Sequence, residues 1–335
     1  MTTEQTAPQP WRVIDIVGGY RRASAVLGAW RAGVFTELDK GPRTDRQLAG
    51  KLGLHGEALR DLLHALAGLE LVTLGKDGAY ALTPHAACLV PGRPGYIGGF
   101  LDNQETEVHP AWRGLADTLR TGRPTPREEE DRPYDLYASE ERRDGFLDAM
   151  DFIVAPLARQ IAERDWSGYK TVLDVGGARG SLATTLTEAH PHLRATVFDL
   201  PALEPAFTRF TADRASAGRL AFHPGDFFKD PLPEADAVIL GHVLHNWPQD
   251  ARRSLIRSAA EAVSPGGALL IYDAMLDEDT PRLVNSLLSL DMRMWSGGSQ
   301  YLADDCVSWL TEAGFRDVER HAHGASSSLV VGHKP

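Results

Sequence analysis

From Gly168 onward the chain alternates short apolar runs with stretches of helical length, and that alternation confines the C-terminal half to one kind of architecture. Thr171-Val-Leu-Asp-Val175, Arg194-Ala-Thr-Val-Phe-Asp199, Leu220-Ala-Phe-His223, Ala237-Val-Ile-Leu240 and Ala268-Leu-Leu-Ile-Tyr272 all read as strands. Helices fit between them, one ending near His190 and another spanning Gln249 to Val263, closed by Ser264-Pro-Gly-Gly267. Strands alternating with helices predict a parallel sheet covered on both faces. Ser326-Ser-Ser-Leu-Val-Val-Gly332 adds one more strand, and no internal repeat is visible.

In such sheets ligands bind beyond the carboxyl ends of the strands, where the strand order reverses. The first strand ends there in Asp174-Val-Gly-Gly-Ala-Arg-Gly180. Gly176, Gly177 and Gly180 let the backbone turn sharply and approach a ligand with no side chain between them. The string is not G-x-G-x-x-G, and Asp174 sets a negative charge where a dinucleotide would place its pyrophosphate. A cationic ligand is favoured instead. Asp199 ends the second strand, where a carboxylate can accept both hydroxyls of a ribose. After the third strand, Gly225-Asp-Phe-Phe228 offers an acid and an aromatic ring to an adenine amine and its ring face. These three groups fit S-adenosylmethionine, whose sulfonium and amino group are positive.

The first hundred residues read as helical. Val13, Ile16, Val17, Tyr20, Ala23 and Val26–Leu27 form one apolar face. A capped helix runs from Thr44 to Gly53, and a second, from Gly56 to Leu71, buries Leu59, Leu62, Leu63, Leu66 and Leu69. Val72-Thr-Leu, the turn Gly75-Lys-Asp-Gly78 and Ala79-Tyr-Ala-Leu82 make a hairpin, which completes the outline of a winged helix. The helix that would enter a DNA groove carries Glu57, Asp61 and Glu70 against Arg60 alone, and the chain's net charge is −11. Both features oppose a nucleic-acid partner, which needs cationic surface. The module therefore reads as structural or dimerising. Residues 102–162 also look helical, interrupted by an acidic, solvated loop within Thr121–Pro133; a helix from Glu140 to about Met150 sets Phe146 and Met150 four apart on one side.

With 335 residues, of which 43% are hydrophobic, the chain is long and apolar enough for two domains with a real core. Cys88 and Cys306 are too few and too far apart to staple a secreted scaffold or form a zinc cluster. The start, MTTEQTAPQPW, lacks a signal-peptide pattern, and no window approaches a spanning helix. The expectation is a soluble cytoplasmic protein with no membrane partner.

Five strings carry a resemblance: Leu173-Asp-Val-Gly-Gly-Ala-Arg-Gly180, Val197-Phe-Asp-Leu-Pro201, Pro224-Gly-Asp-Phe-Phe228, His242-Val-Leu-His-Asn-Trp247 and Gly297-Gly-Ser-Gln-Tyr301. Together the chain resembles the small-molecule O-methyltransferases of plant phenol, acetylserotonin and bacterial antibiotic-tailoring type. The resemblance covers nearly the whole chain and implies an α/β fold. A Rossmann-like S-adenosylmethionine-dependent methyltransferase domain (166–335) would be preceded by an α-helical winged-helix dimerisation domain (1–100). A helical linker (101–165) would contribute to the acceptor pocket. It further implies an interlocked homodimer, one subunit's N-terminal region helping to wall the other's pocket, and no metal. Cofactor contacts are implied for Asp174, Gly176, Gly177, Gly180, Asp199, Leu200, Gly225, Asp226, Phe227, His242 and Trp247.

A phenol is mostly neutral at cytosolic pH, so a base helps its methylation, and histidine suits that task. The resemblance places the base at His245, supported by Asp273 and by the position of Gln300, where relatives carry an acid. Gln300 and Asn246 each remove a charge, so His245 is expected to be a weaker base, or the acceptor to need less deprotonation. Phe146, Met150, Asn246, Asn285, Asp291, Met292 and Trp295 match acceptor-lining positions, although helical spacing reads equally well as core. A phenolic hydroxyl of a small aromatic secondary metabolite is the expected acceptor. C-methylation of an aromatic amino acid or phenol, or N-methylation, uses the same cofactor geometry. A non-catalytic or hydroxylase-like descendant, a ligand-sensing winged-helix regulator and a nicotinamide-dependent oxidoreductase are the alternatives of other classes.

Overall fold

The computed structural model describes residues 9–124, 140–323 and 326–335; the first residues of the chain and the acidic run Glu128–Asp131 lie outside them. The chain divides into two compact units, Met1–Leu101 and Asp102–Pro335.

In the first unit, α1 (Pro10–Val17), α2 (Gly19–Arg31) and α3 (Val34–Leu38) precede β1 (Arg43–Thr44), α4 (Asp45–Leu52), α5 (Gly56–Gly68), β2 (Val72–Leu74) and β3 (Ala79–Leu82). The predicted hairpin forms, with β1 added to its edge in the order β1-β3-β2. Thr44 Oγ1 accepts from Gln47 N–H at 3.3 Å while Gln47 Oε1 accepts from Thr44 N–H at 2.9 Å, a reciprocal cap. Gly53, in the left-handed region, ends α4. Leu27, Phe35, Leu48, Leu59, Leu63, Leu66 and Tyr80 share one core. The apolar face of α1 stays outside it: Val13, Ile16 and Val17 are 60, 69 and 68% exposed.

After α6 (Gly98–Asn103), the second unit contains α7 (His109–Trp112), α8 (Leu115–Thr121) and α9 (Glu140–Ala162). It continues with β4 (Thr171–Val175), α10 (Ser181–Ala189), β5 (Arg194–Asp199), α11 (Glu204–Thr211), β6 (Leu220–Pro224), β7 (Ala235–Gly241), α12 (Gln249–Ala262) and β8 (Val263–Asp273). It closes with α13 (Leu283–Trp295), α14 (Ala303–Glu312), β9 (Arg316–His323) and β10 (Ser327–His333). The strands form one sheet in the order β6-β5-β4-β7-β8-β10-β9. Apolar cores cover it on both sides, one built with α12 and α14, the other with α9 and α10.

Two expectations are corrected, and one strand went unpredicted. The sheet is mixed rather than parallel: β10 runs antiparallel to both β8 and β9. A short β9–β10 connection permits only that sense, since a parallel pair needs a long crossover. Strand β9 itself carries Arg316, Asp317, Glu319, Arg320 and His321 on the sheet's edge, so it has no apolar run to announce it. Helix α9 continues well past Met150 and carries Pro156 in its interior.

The order reverses between β4 and β7: β4 is followed through α10 by β5 on one side, and β7 through α12 by β8 on the other. The loops after β4 and β7 diverge there and open a crevice at the carboxyl edge. In the first unit, Thr44→Ala is expected to lower stability by about 1 kcal/mol, read as a reduced urea midpoint with an unchanged slope.

Candidate active site

The crevice is built from strand ends. Beyond β4, Gly176 and Gly180 take left-handed φ of 72° and 85°. A Cβ on Gly177 would stand 2.5 Å from the Asp174 carboxyl carbon, so the backbone there can lie directly against the acid only without a side chain. Ala178 adopts φ 53°, unusual for a residue with a Cβ, and its N–H donates to Asp199 Oδ2 at 2.8 Å. Leu200 N–H donates to Asp199 Oδ1 at 2.7 Å, and Gly225 N–H to the Asp199 carbonyl at 2.9 Å. The glycine loop, β5 and the turn after β6 are thus locked together at one residue, Asp199, through its carboxylate and its carbonyl.

Asp174 is buried, and its Oδ2 has no hydrogen-bond partner among the described residues. Burial, reinforced by Asp199, pushes its pKa up to about 7. Burial likewise raises Asp199 to about 6, against the pull of the two backbone N–H groups. Two buried acids, one with an unsatisfied oxygen, could hold a cation that also carries hydrogen-bond donors. S-adenosylmethionine fits this set on both counts. Asp226 differs: Lys229 Nζ lies 2.7 Å from its Oδ2, and that contact chiefly holds its pKa down. Phe227 and Phe228 meet Trp247 edge-on, at 6.0 and 4.7 Å between ring centres, so both phenylalanines pack on one indole.

The second half of the site follows β7. His242 takes φ 53°, its N–H donating to the Tyr272 carbonyl at 3.0 Å. Three residues on, the His245 imidazole is largely enclosed. Its Nδ1 lies 2.9 Å from Gln300 Nε2 and 3.1 Å from Asp273 Oδ1. The same Asp273 oxygen is 3.5 Å from His242 Nδ1, and Tyr301 donates its hydroxyl to Asp273 Oδ2 at 2.7 Å. Burial acts to raise the Asp273 carboxyl, but His245, His242 and Tyr301 outweigh it and hold the pKa below the usual carboxylate range. Burial holds His245 below the ordinary histidine value; Asp273 opposes the shift and His242 adds to it. Ligand atoms of His242, His245 and Asp273 lie within 4.8 Å of one another, so this trio also has the reach of a metal-binding set.

Arg252 on α12 holds the two loops of this half together. Its Nε donates to the Leu244 and Trp247 carbonyls at 3.0 and 2.7 Å, and its Nη2 to the Ser299 carbonyl and Oγ at 2.6 and 3.0 Å. The guanidinium lies over the Tyr301 ring at 4.9 Å. Ser299 N–H donates to the His245 carbonyl at 2.9 Å. The approach is closest at Gly298, where a Cβ would fall 2.1 Å from that same carbonyl oxygen. Asn246 donates to the His242 carbonyl at 3.1 Å and braces the turn.

The acceptor-side candidates separate by what they touch. Asn285 is buried and donates to the Met275 and Ser326 carbonyls at 2.7 and 2.8 Å, tying α13 to the neighbouring segments. Asp291, also on α13, accepts from the Trp112 indole at 2.6 Å, and burial raises its pKa despite that bond. Met292 and Trp295 on α13, and Phe146 and Met150 on α9, are half-buried. Phe146 packs with Leu147, Leu203 and Ala206.

Four residues went unread in the sequence: Trp112, Asp148, Asp151 and Arg252. Arg179, inside the glycine string, bonds Asp151 Oδ2 and Asp148 Oδ1, both at 2.7 Å, and so ties α9 to the cofactor loop. Arg252 had one available signal: it shares the buried face of α12 with Leu255, Ile256 and Ala259.

An O-methyltransferase domain model matches residues 112–316. The chain is similar to the tetracenomycin polyketide synthesis 8-O-methyl transferase of Streptomyces glaucescens, with 37% identity over the full length of both proteins. It is 36% identical, again over both full lengths, to an N,N-dimethyltransferase of Streptomyces rimosus. Among solved structures, human N-acetylserotonin methyltransferase in complex with S-adenosylmethionine superposes with a TM-score of 0.88 and 28% identity, covering 100% of this chain and 99% of that one.

Gly298→Ala is expected to part the two loops and separate His245 from Gln300, since the obstructing atom is backbone. A resonance shift at His245 together with an unaltered melting temperature of the first unit would check it. The raised acids give a pH prediction. A carboxyl whose folded pKa exceeds its unfolded value of 3.8 contributes less stability as pH rises from there to about 7. Asp174→Asn should therefore melt above the parent in ligand-free protein, by a margin that grows with pH across that window and is constant above it. A margin independent of pH would refute the assignment.

Proposed function

The chain belongs to the O-methyltransferase family and uses S-adenosylmethionine, and from that premise we propose that it methylates a phenolic hydroxyl of a small aromatic secondary metabolite, with His245 as base for a hydroxyl that arrives protonated. One observation carries this reading: the enclosed imidazole is fixed through Nδ1 by Asp273 and Gln300, which leaves Nε2 for the acceptor. A carboxylate on one ring nitrogen orients the other and steadies the charged form, the logic of a supported catalytic histidine.

S-adenosylmethionine supplies an activated methyl group when bound. Asp174 would meet its positive charge; Gly176, Gly177 and Gly180 would let the backbone approach it. Asp199, with Leu200 and Gly225 fixing its surroundings, would take the ribose hydroxyls. Asp226, Phe227, His242 and Trp247 complete the proposed cofactor set. Phe146, Met150, Asn246, Asn285, Asp291, Met292 and Trp295 are the proposed acceptor side. The chain's chief task is then alignment and the exclusion of water.

In this reading residues 1–100 form a dimerisation domain, 101–165 a helical linker that contributes to the pocket and 166–335 the methyl-transfer domain. The exposed apolar face of α1 supports a homodimer, since a second copy would cover it. Among the described residues no helix is long and apolar enough to cross a membrane. A nitrogen acceptor is the second reading, favoured by the likeness to an N,N-dimethyltransferase; C-methylation of the same ring is the third.

The test is incubation with isotope-labelled S-adenosylmethionine and a panel of phenols, aromatic amines and aromatic amino acids, with fragmentation of the products to locate the label. Label on oxygen is expected. With a neutral phenol, His245→Gln should lower kcat by about 10²-fold; an unchanged rate would remove His245 from the mechanism.

A further inference from the structure

Helix α9 is held in two different ways along its length. After Pro156, Leu157, Ala158, Ile161 and Ala162 are buried in the core against the sheet and α10. Pro156 brings no N–H to the helical ladder, so the carbonyl one turn earlier loses its usual donor and α9 is weakest there. Before the proline, Phe152 and Ile153 are half exposed, and the first half of the helix rests on a small apolar cluster: Leu147 with Leu203 and Ala206, beside Ala178. Those partners lie on the two segments that enclose Asp199, the glycine loop and the stretch after β5.

Polar contacts repeat the pattern. Arg143 Nη1 donates to the Ala202 carbonyl at 3.4 Å, and Arg209 on α11 meets Asp144 at 2.9 Å. The most sheltered tie is made by Arg179. Its Nε donates to Asp151 Oδ2 at 2.7 Å, and its Nη2 stands 2.6 Å from the same oxygen and 2.7 Å from Asp148 Oδ1. The Arg179 and Asp151 side chains are 16 and 22% exposed, whereas Arg209 is 49% exposed and open to screening. Phe210 lies against the Arg179 guanidinium, its ring centre 5.0 Å away. Burial raises the pKa of Asp151 while Arg179 and Ser181 oppose the shift, so the carboxylate depends on these groups for its charge. Arg179 directly follows Ala178, whose left-handed φ and bond to Asp199 belong to the shape of the glycine loop, and that shape sets where the guanidinium points. At the other end, Asp148 and Asp151 flank Met150, and Phe146 lies one turn before it.

We propose that Arg179 is the positioning residue that couples the cofactor loop to the acceptor side: through Asp151 and Asp148 it seats the first half of α9, with Phe146 and Met150, when the cofactor fixes the loop. The inference rests on the reading of the glycine loop as a cofactor contact and of Phe146 and Met150 as acceptor wall, and it adds how one reaches the other. Linkage makes the effect reciprocal: a cofactor that favours the seated helix is itself bound more tightly by it. The acceptor then meets a formed wall in protein already loaded with the methyl donor, and an unproductive complex without the donor is disfavoured.

Hydrogen exchange on the full-length protein, with and without saturating S-adenosylhomocysteine, reads this coupling without turnover. Amides of residues 174–181 and of residues 143–151 should both slow on addition, the latter by at least about tenfold. In Asp151→Asn and in Arg179→Gln, each saturated with the same compound, slowing should persist at 174–181 and fall below about twofold at 143–151. Amides of α9 that do not slow in the parent, or slowing that either variant preserves, overturn the proposal.

Calorimetric titration with S-adenosylhomocysteine supplies a second readout, one that a merely structural role would not move. Each single variant should weaken binding about fivefold, and in the Arg179→Gln background Asp151→Asn should add nothing further. Losses that multiply in the double variant overturn the proposal. Should Arg179→Gln not fold, the exchange result for Asp151→Asn decides alone. Failure of the broader reading looks different: heat of binding with no slowing at 174–181 moves the cofactor site elsewhere and overturns both, whereas slowing at 174–181 without slowing at 143–151 overturns this inference alone.

Discussion

Three carboxylates stand along the carboxyl edge of one sheet and are removed from water, and the protein must find partners for each. Asp174 lies in β4, Asp199 ends β5 and Asp273 ends β8, all buried. An isolated buried charge is far less favourable than a hydrated one, so each must be neutralised, hydrogen-bonded or paired. Asp273 is met within the chain, by two histidines and a tyrosine hydroxyl, and stays ionised. Asp199 has two backbone N–H groups. Asp174 has an oxygen with no hydrogen bond among the described residues and takes up a proton most readily of the three. Of the three, Asp199 has a backbone N–H on each oxygen, whereas Asp174 and Asp273 each keep an oxygen without a hydrogen bond among the described residues, and at Asp273 the neighbouring histidines offset that loss.

Positioning depends on backbone as much as on side chains. The loops carrying His245 and Gln300 come from distant parts of the chain and meet where Gly298 has no Cβ to hold them apart. Arg252 then fixes both with one planar group, a use of guanidinium geometry that lysine could not reproduce. On the other side of the crevice, Arg179 links the cofactor loop to α9, and α9 carries Phe146 and Met150. Movement of the acceptor-side helix would therefore be felt by the glycine loop through a pair of charge-assisted bonds.

The sequence disclosed what depends on local chemistry. Strand runs, glycines and acids at strand ends are side-by-side in the chain, so the tight loop and the acids at the carboxyl edge were readable at Asp174, Gly177 and Asp199. The capped helix at Thr44 was readable for the same reason. What escaped depends on distant partners. Strand β9 is polar because it lies at an edge, and only pairing with β10 makes it a strand. Trp112 gave no hint of Asp291, far along the chain on α13. Arg252 looked like one more surface arginine on an amphipathic helix, and its burial follows from carbonyls contributed by two separate loops. Asn285 showed a polar side chain on a helix, but not that its amide would be spent on two backbone carbonyls.

The resemblance implied an acid where this chain has Gln300, and what surrounds that amide needed geometry. A neutral amide beside a histidine can accept a proton from Nδ1 or donate one to it, and these choices give the other ring nitrogen opposite roles. Gln300 Nε2 stands 2.9 Å and Asp273 Oδ1 3.1 Å from Nδ1, so an amide and a carboxylate share one ring nitrogen. Burial opposes a charged imidazole there, Asp273 favours it, and His242 and Arg252 side with burial.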